Sequence, residues 1–164
     1  MKKETAKKTA IVGMAASAAM ILSYVESFFY LGIPGLKIGL PNVFIVCILY
    51  LYGIRSAAAV SLVRCILTAI LFGSVMSLWY SLAGASLSLT LMWLMKRSDK
   101  FSPMGVSIVG GVSHNAAQLA VAVAVTGVRQ IGYYYLPILT FGGVVAGAVV
   151  GIAAGALTER VRKI

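Results

Sequence analysis

The reading of the fold turns on Ala57–Met95, AAAVSLVRCILTAILFGSVMSLWYSLAGASLSLTLMWLM, 39 residues that carry a single charge, Arg64. One helix needs roughly 20 apolar residues to cross a hydrocarbon core about 30 Å thick, so this stretch is too long for one crossing. It suits two helices that meet near Phe72-Gly73-Ser74, where glycine and serine interrupt the apolar run. Two adjacent membrane helices in the middle of the chain set the class of the whole: an all-α integral membrane protein. Composition agrees, with 60% hydrophobic residues, 11% charged residues and a mean hydropathy of +0.97, far from a soluble domain.

Outward from this stretch the other crossings follow, and six are predicted, at 9–30, 38–53, 56–72, 75–95, 105–127 and 134–157, forming a single transmembrane domain over 1–164. The first run follows a lysine-rich start. Its small triplet Ala16-Ser17-Ala18 resembles a signal-peptide cleavage site, but the apolar segment continues to Val25, and a retained span is the simpler account. Gly32-Ile33-Pro34-Gly35 breaks it. In the second run Pro41 falls in the first turn, where no intrahelical donor is lost. Lys96-Arg97-Ser98-Asp99-Lys100 makes a polar loop and Pro103 marks the next helix start. Within these 164 residues no soluble catalytic domain fits beside six crossings. Cys47 and Cys65 lie in apolar runs without CxxC or Cys/His spacing, so neither a disulfide frame nor a metal site is expected.

Orientation follows from the 14 lysines and arginines. With six crossings, Lys2, Lys3, Lys7, Lys8, Arg55, Lys96, Arg97, Lys100, Arg160, Arg162 and Lys163 share one side. Lys37 and Arg129 are left on the other, and Arg64 lies within a span. The positive-inside rule then puts both termini in the cytoplasm of a prokaryotic cell. The net charge of +10 is thereby topological, and no nucleic-acid partner is needed to explain it. Trp79, Tyr80, Tyr133, Tyr134 and Tyr135 sit where an outer aromatic belt is expected.

A strongly polar side chain within a span is expensive unless it faces a partner or water, which makes each one a functional candidate. The candidates are Glu26, Asn42, Arg64, His114, Asn115 and Gln118, with Lys37 in the loop after the first span. His114 and Gln118 are i and i+4 on one helix face, and Gly110, one turn earlier, leaves that face without bulk. The pattern reads as the wall of an outward-opening cavity, so Glu26, Lys37, Asn42, His114, Asn115 and Gln118 form the candidate ligand site. The alternative is that Asn, Gln and His only hydrogen-bond helix to helix, and Arg64 reads as slightly more structural than functional. Small residues form a second pattern: Ala15 and Ala19 in the first span, and Gly143, Gly147, Gly151 and Gly155 in the sixth. Such ridges let backbones approach closely, within the bundle or against another protein.

Several stretches carry a resemblance to a known family: Gly35-Leu36-Lys37-Ile38-Gly39-Leu40-Pro41-Asn42, Ser81-Leu82-Ala83-Gly84-Ala85, Ser107 to Gln118 with its HNAAQ end, and Tyr135-Leu136-Pro137-Ile138-Leu139. Together they resemble the Gx transporter family, which also bears the description heptaprenyl diphosphate synthase component I and is similar to the substrate-binding S components of energy-coupling factor transporters. The resemblance implies an S-component-like bundle, a small-molecule substrate bound near the outer surface beneath the loop Leu31 to Lys37, and a coupling subunit docked on Ala15 and Ala19. The chain has one aspartate, Asp99, whereas prenyl diphosphate synthases hold magnesium diphosphate with aspartate clusters. It also lacks a GxxxxGK[ST] phosphate loop, so separate ATPases are implied. The expectation is therefore a non-enzymatic binding subunit for uptake, without cofactor or metal, in contact only with membrane lipid, its substrate and its transport partners. The rival is a non-catalytic accessory protein of isoprenoid or quinone biosynthesis or of flavin-linked electron transfer.

Overall fold

The computed structural model describes residues 2–28 and 38–163. These form six helices and, among the described residues, no strand: α1 (Lys2–Ser27), α2 (Asn42–Tyr52), α3 (Ile54–Phe72), α4 (Val75–Arg97), α5 (Pro103–Thr126) and α6 (Arg129–Arg162). Five are long and apolar enough to cross a membrane; α2 is not.

The helix boundaries have local causes. Gly53 separates α2 from α3 in a left-handed conformation, φ 80°, that a residue with a side chain rarely adopts. Ser74 opens α4 with a reciprocal cap, its hydroxyl accepting from Ser77 N–H at 3.1 Å and its own N–H donating to Ser77 Oγ at 2.8 Å. Ser102 caps α5 ahead of Pro103, and Gly127 ends it with N–H to the Val123 carbonyl at 2.9 Å.

Two predicted spans differ from the helices observed. The run 38–53 yields a helix only from Asn42, because Gly39 has φ 77° and Leu40-Pro41 form a turn ahead of it. Eleven residues make about 16 Å of helix, half of a hydrocarbon core. The run 134–157 is the middle of a 34-residue helix that begins at Arg129 and carries Pro137 in its interior. Pro137 cannot donate to the carbonyl one turn back, yet it does not end the helix.

Contacts order the helices as a ring, α1, α3, α4, α5 and α6, closed by α2, which packs on α1, α3 and α6. Accordingly Ile45–Leu49 of α2 are all buried. Helices consecutive in the chain alternate in direction, so the ring neighbours α1 and α3 run parallel. Lys8 of α1 lies over the Tyr52 ring, and Lys96 near the end of α4 donates to the Leu49 carbonyl at 2.6 Å. At the opposite end Tyr24 of α1 meets the Phe72 ring of α3 at 4.6 Å. The start of α1 and the end of α6 thus share one end of the bundle with Arg55, Arg97 and Lys100, while Arg129 opens α6 at the other. Large apolar side chains face outward on the long helices, among them Ile70, Val75, Phe141 and Ile152, as does Trp79. Such an exterior suits lipid and would aggregate in water.

The glycine ridge packs inside the bundle, against α5. A Cβ on Gly143 would lie 2.9 Å from Val112 backbone, on Gly147 2.6 Å from the Ile108 Cα, and on Gly151 2.5 Å from the Met104 Cα. The α5–α6 pair is the most extensive helix contact, and these bare positions are why its backbones can touch.

Candidate functional site: a polar cavity enclosed by six helices

A cavity of about 50 Å³ lies at the centre of the bundle, with every helix contributing to its wall. Its lining includes Glu26 from α1, Asn42 from α2, Arg64 from α3, Ser88 from α4 and His114, Asn115 and Gln118 from α5, with α6 supplying Gly143 and Gly147. Five of the six sequence-predicted ligand residues are therefore brought together, from three separate segments. The sixth, Lys37, lies outside the described residues, as does the loop 31–37.

Within this wall the polar groups are not equivalent. Glu26 is buried, and its carboxylate accepts a hydrogen bond from the Gly39 N–H. That bond ties the end of α1 to the residues that lead into α2, across 13 positions of chain. Asn115 is buried and spends its carboxamide on the Leu139 carbonyl of α6 at 2.8 Å. That bond joins α5 to α6. His114 packs its ring on Gly84 of α4, where a Cβ would come within 2.7–2.9 Å of three ring atoms. Gln118 stands one turn further along the same face.

Gly110 differs from expectation. The space it leaves on α5 is taken by Met92 and Ser88 of α4; a Cβ there would lie 2.5 Å from the Met92 sulfur. It admits a neighbouring helix, and with Met92 and Ser88 it forms part of the cavity wall.

Arg64, which the sequence reads as slightly more structural than functional, lies in the cavity wall. Its neighbours Leu62, Val63 and Ile66 are exposed on the outer face of α3, while Arg64 turns inward to line the central cavity and a second one of about 140 Å³ between α1, α3 and α4. Its Nη2 lies 3.7 Å from the Cys65 sulfur, and its buried Nε has no hydrogen-bond partner among the described residues. The signal was in the sequence: Arg64 is the single charge in 39 residues of apolar chain.

Ala15 and Ala19, expected to face a coupling subunit, are turned into the bundle. Ala19 is fully buried, Ala15 is 7% exposed, and both belong to the core cluster with Ile45, Val46, Ala57 and Val60. Their smallness lets α1 approach α2 and α3. The outward face of α1 carries Gly13, Met14, Ser17 and Ile21 instead.

The model of the family described as heptaprenyl diphosphate synthase component I matches residues 15–157, nearly the whole chain. The chain belongs to this family. No curated protein and no solved structure matches it. The match takes in the entire cavity wall, so the component I family model and the site coincide. Among the described residues no three His, Cys, Asp or Glu side chains come together. Glu26 is the one carboxylate in the wall, while Asp99 lies in the α4–α5 loop.

Proposed function

We propose that this component I family member is a membrane-embedded, non-catalytic binding subunit of the energy-coupling-factor type. It captures a small organic molecule from outside the cell for uptake. The observation that carries the reading is the central cavity, where Glu26, Asn42, Arg64, His114 and Gln118 converge from four helices. Residues serving only as helix-to-helix hydrogen bonds would be used pairwise and distributed along the bundle, as Asn115 is with Leu139.

The basic end of the bundle lies in the cytoplasm by the positive-inside rule, which makes the opposite end, with Glu26 and Gly39, the side of capture. α2 takes the place of a sixth crossing. At about 50 Å³ the cavity is well below the roughly 300–1,000 Å³ of typical small-molecule sites, so capture requires widening. The Glu26–Gly39 hydrogen bond is the contact that must yield or shift. With no phosphate loop in the sequence, a membrane coupling subunit and ATPases supply the energy.

The family description favours a second reading, a non-catalytic membrane partner of an isoprenoid-forming enzyme. Gentle-detergent purification of the tagged protein from its native membranes decides between them. Recovery of a polytopic coupling subunit with ATPases is expected. Recovery of a prenyltransferase in their place refutes the uptake reading.

A further inference from the structure

We infer that Arg64 is the anion-recognising group of the central cavity, so that the molecule this site takes is a small organic anion whose carboxylate or phosphate lies on the guanidinium. The inference rests on the binding reading above and narrows it to a chemical class.

A guanidinium held inside a membrane helix is costly unless something compensates its charge. The usual structural compensations are a carboxylate partner, backbone carbonyls at a helix end, or extension of the side chain to the membrane surface. Among the described residues Arg64 has no carboxylate or backbone carbonyl as a partner. It sits near the middle of the 19-residue α3, its Nε is buried without a partner among the described residues, and its hydrogen-bond contact is the soft Cys65 sulfur at 3.7 Å. Glu26 shares both cavities with it, yet that carboxylate is engaged by the Gly39 N–H. The N-terminus of α2 also lies at the wall, but the N–H groups of Asn42, Val43 and Phe44 already bond to Gly39, Leu40 and Pro41 carbonyls. Arg64 is thus the charged donor of this wall with capacity left, beside the side-chain amides of Asn42 and Gln118. Its planar fork, presenting Nε and Nη side by side, matches the two oxygens of a carboxylate or phosphate.

The surroundings fit the same class. The second cavity shares Glu26 and Arg64 with the central one, and its wall includes Ser23, Ser27, Thr68, Ser77 and Ser81 beside Cys65, Ala69 and Phe72. Thr68 Oγ1 is, like Arg64 Nε, buried without a hydrogen-bond partner among the described residues. A mixed chamber of this kind beside a cation leaves room for the rest of a small organic anion, and it extends to Phe72 and Gly73 at the end of α3.

The test uses purified wild type, Arg64→Gln and Arg64→Lys in detergent, titrated with benzoate, inorganic phosphate and benzylamine. Thermal stability and native mass spectrometry are the readouts. Wild type should respond to at least one of the two anions and not to benzylamine, and which anion acts tells carboxylate from phosphate. Arg64→Gln should weaken that response about ten- to a hundred-fold, the loss expected for a charged hydrogen bond, and Arg64→Lys should fall between. Without any anion Arg64→Gln should melt no lower than wild type, because a part-buried cation whose Nε has no partner among the described residues has been removed. An unaltered anion response in Arg64→Gln, a response of wild type to benzylamine alone or to none of the three, or a drop in the variant's anion-free melting temperature with its anion response intact overturns the assignment. The uptake reading is scored separately, by the subunits that copurify with wild type. Retained coupling subunits beside a failed anion response would overturn the Arg64 assignment alone.

Discussion

Gly147→Ala and Gly155→Ala place the same methyl on the same ridge of α6 and should have opposite effects. At Gly147 the new Cβ would lie 2.6 Å from the Ile108 Cα and 2.7 Å from the Ser107 carbonyl oxygen. Ordinary carbon contacts begin near about 3.5 Å, so α5 and α6 must part by close to 1 Å. Both obstructing atoms are backbone, and no side-chain rotation relieves them. Parting the helices also loosens the contacts at Gly143 and Gly151, and a gap of about 1 Å forfeits up to half of each contact's dispersion energy. The cost is about 1–3 kcal/mol, as for other overpacked interiors. At Gly155 the nearest atom to a Cβ is the Pro103 Cβ at 3.9 Å, an ordinary contact. There alanine should be neutral or gain up to about 1 kcal/mol of helix propensity. Thermal unfolding of both variants in one detergent is the assay: several degrees lower for Gly147→Ala, unchanged or higher for Gly155→Ala. Equal melting temperatures would refute the claim that backbone contact at this ridge joins the two helices.

Gly84→Ala should displace the His114 ring without parting helix backbones, lowering ligand retention in native mass spectrometry more than it lowers melting temperature. Asn115→Ala should do the reverse, costing about 1–2 kcal/mol of thermal stability through the lost bond to the Leu139 carbonyl while leaving retention largely intact. Lys96→Met removes the cation that meets the Leu49 carbonyl at the end of α2, and should lower the melting temperature modestly with no effect on the cavity. Cysteine reporters at Ser98 and Gln130, on a background lacking the buried Cys47 and Cys65, should be protected and labelled respectively by an impermeant reagent in intact cells. A labelled Ser98 would overturn the orientation.

What the sequence made legible was whatever depends on length and apolarity. The 39-residue run resolved into α3 and α4 with the break at Gly73-Ser74, as the turn residues there indicate. The start of α2 was not legible by that criterion, because Ile38, Leu40 and Pro41 read as apolar helix while the backbone at Gly39 is left-handed. Hydropathy registers side chains and is blind to φ. The length of α6 escaped for the opposite reason: Gly132 and three tyrosines dilute the apolar signal ahead of Pro137, yet the helix runs through them to Arg129. The direction in which small residues face was also undetermined. Gly143, Gly147 and Gly151 on α6 and Ala15 and Ala19 on α1 show the same spacing, and both sets prove to lie inside the bundle. Spacing says that a ridge is flat, and only the neighbours say what lies on it.

The site was legible in its members and not in their roles, and the difference follows from how a polar group in a membrane helix is paired. Four stretches distant in sequence meet around the cavity. Gly39 and Asn42 stand at its far end with Glu26, Gly84 seats His114, and the Leu139 carbonyl holds Asn115. Polarity within an apolar run identified Glu26, Asn42, His114, Asn115 and Gln118, because any of them needs a partner in hydrocarbon. Which partner each one has is a tertiary fact. Asn115 is paired by α6, and Glu26 by the backbone leading into α2. Arg64, a cation near the middle of α3, retains an Nε without a partner among the described residues. A bundle selected for stability alone would replace such a cation with an apolar residue of similar volume, so its presence in the cavity wall argues for a role that begins when a ligand is bound.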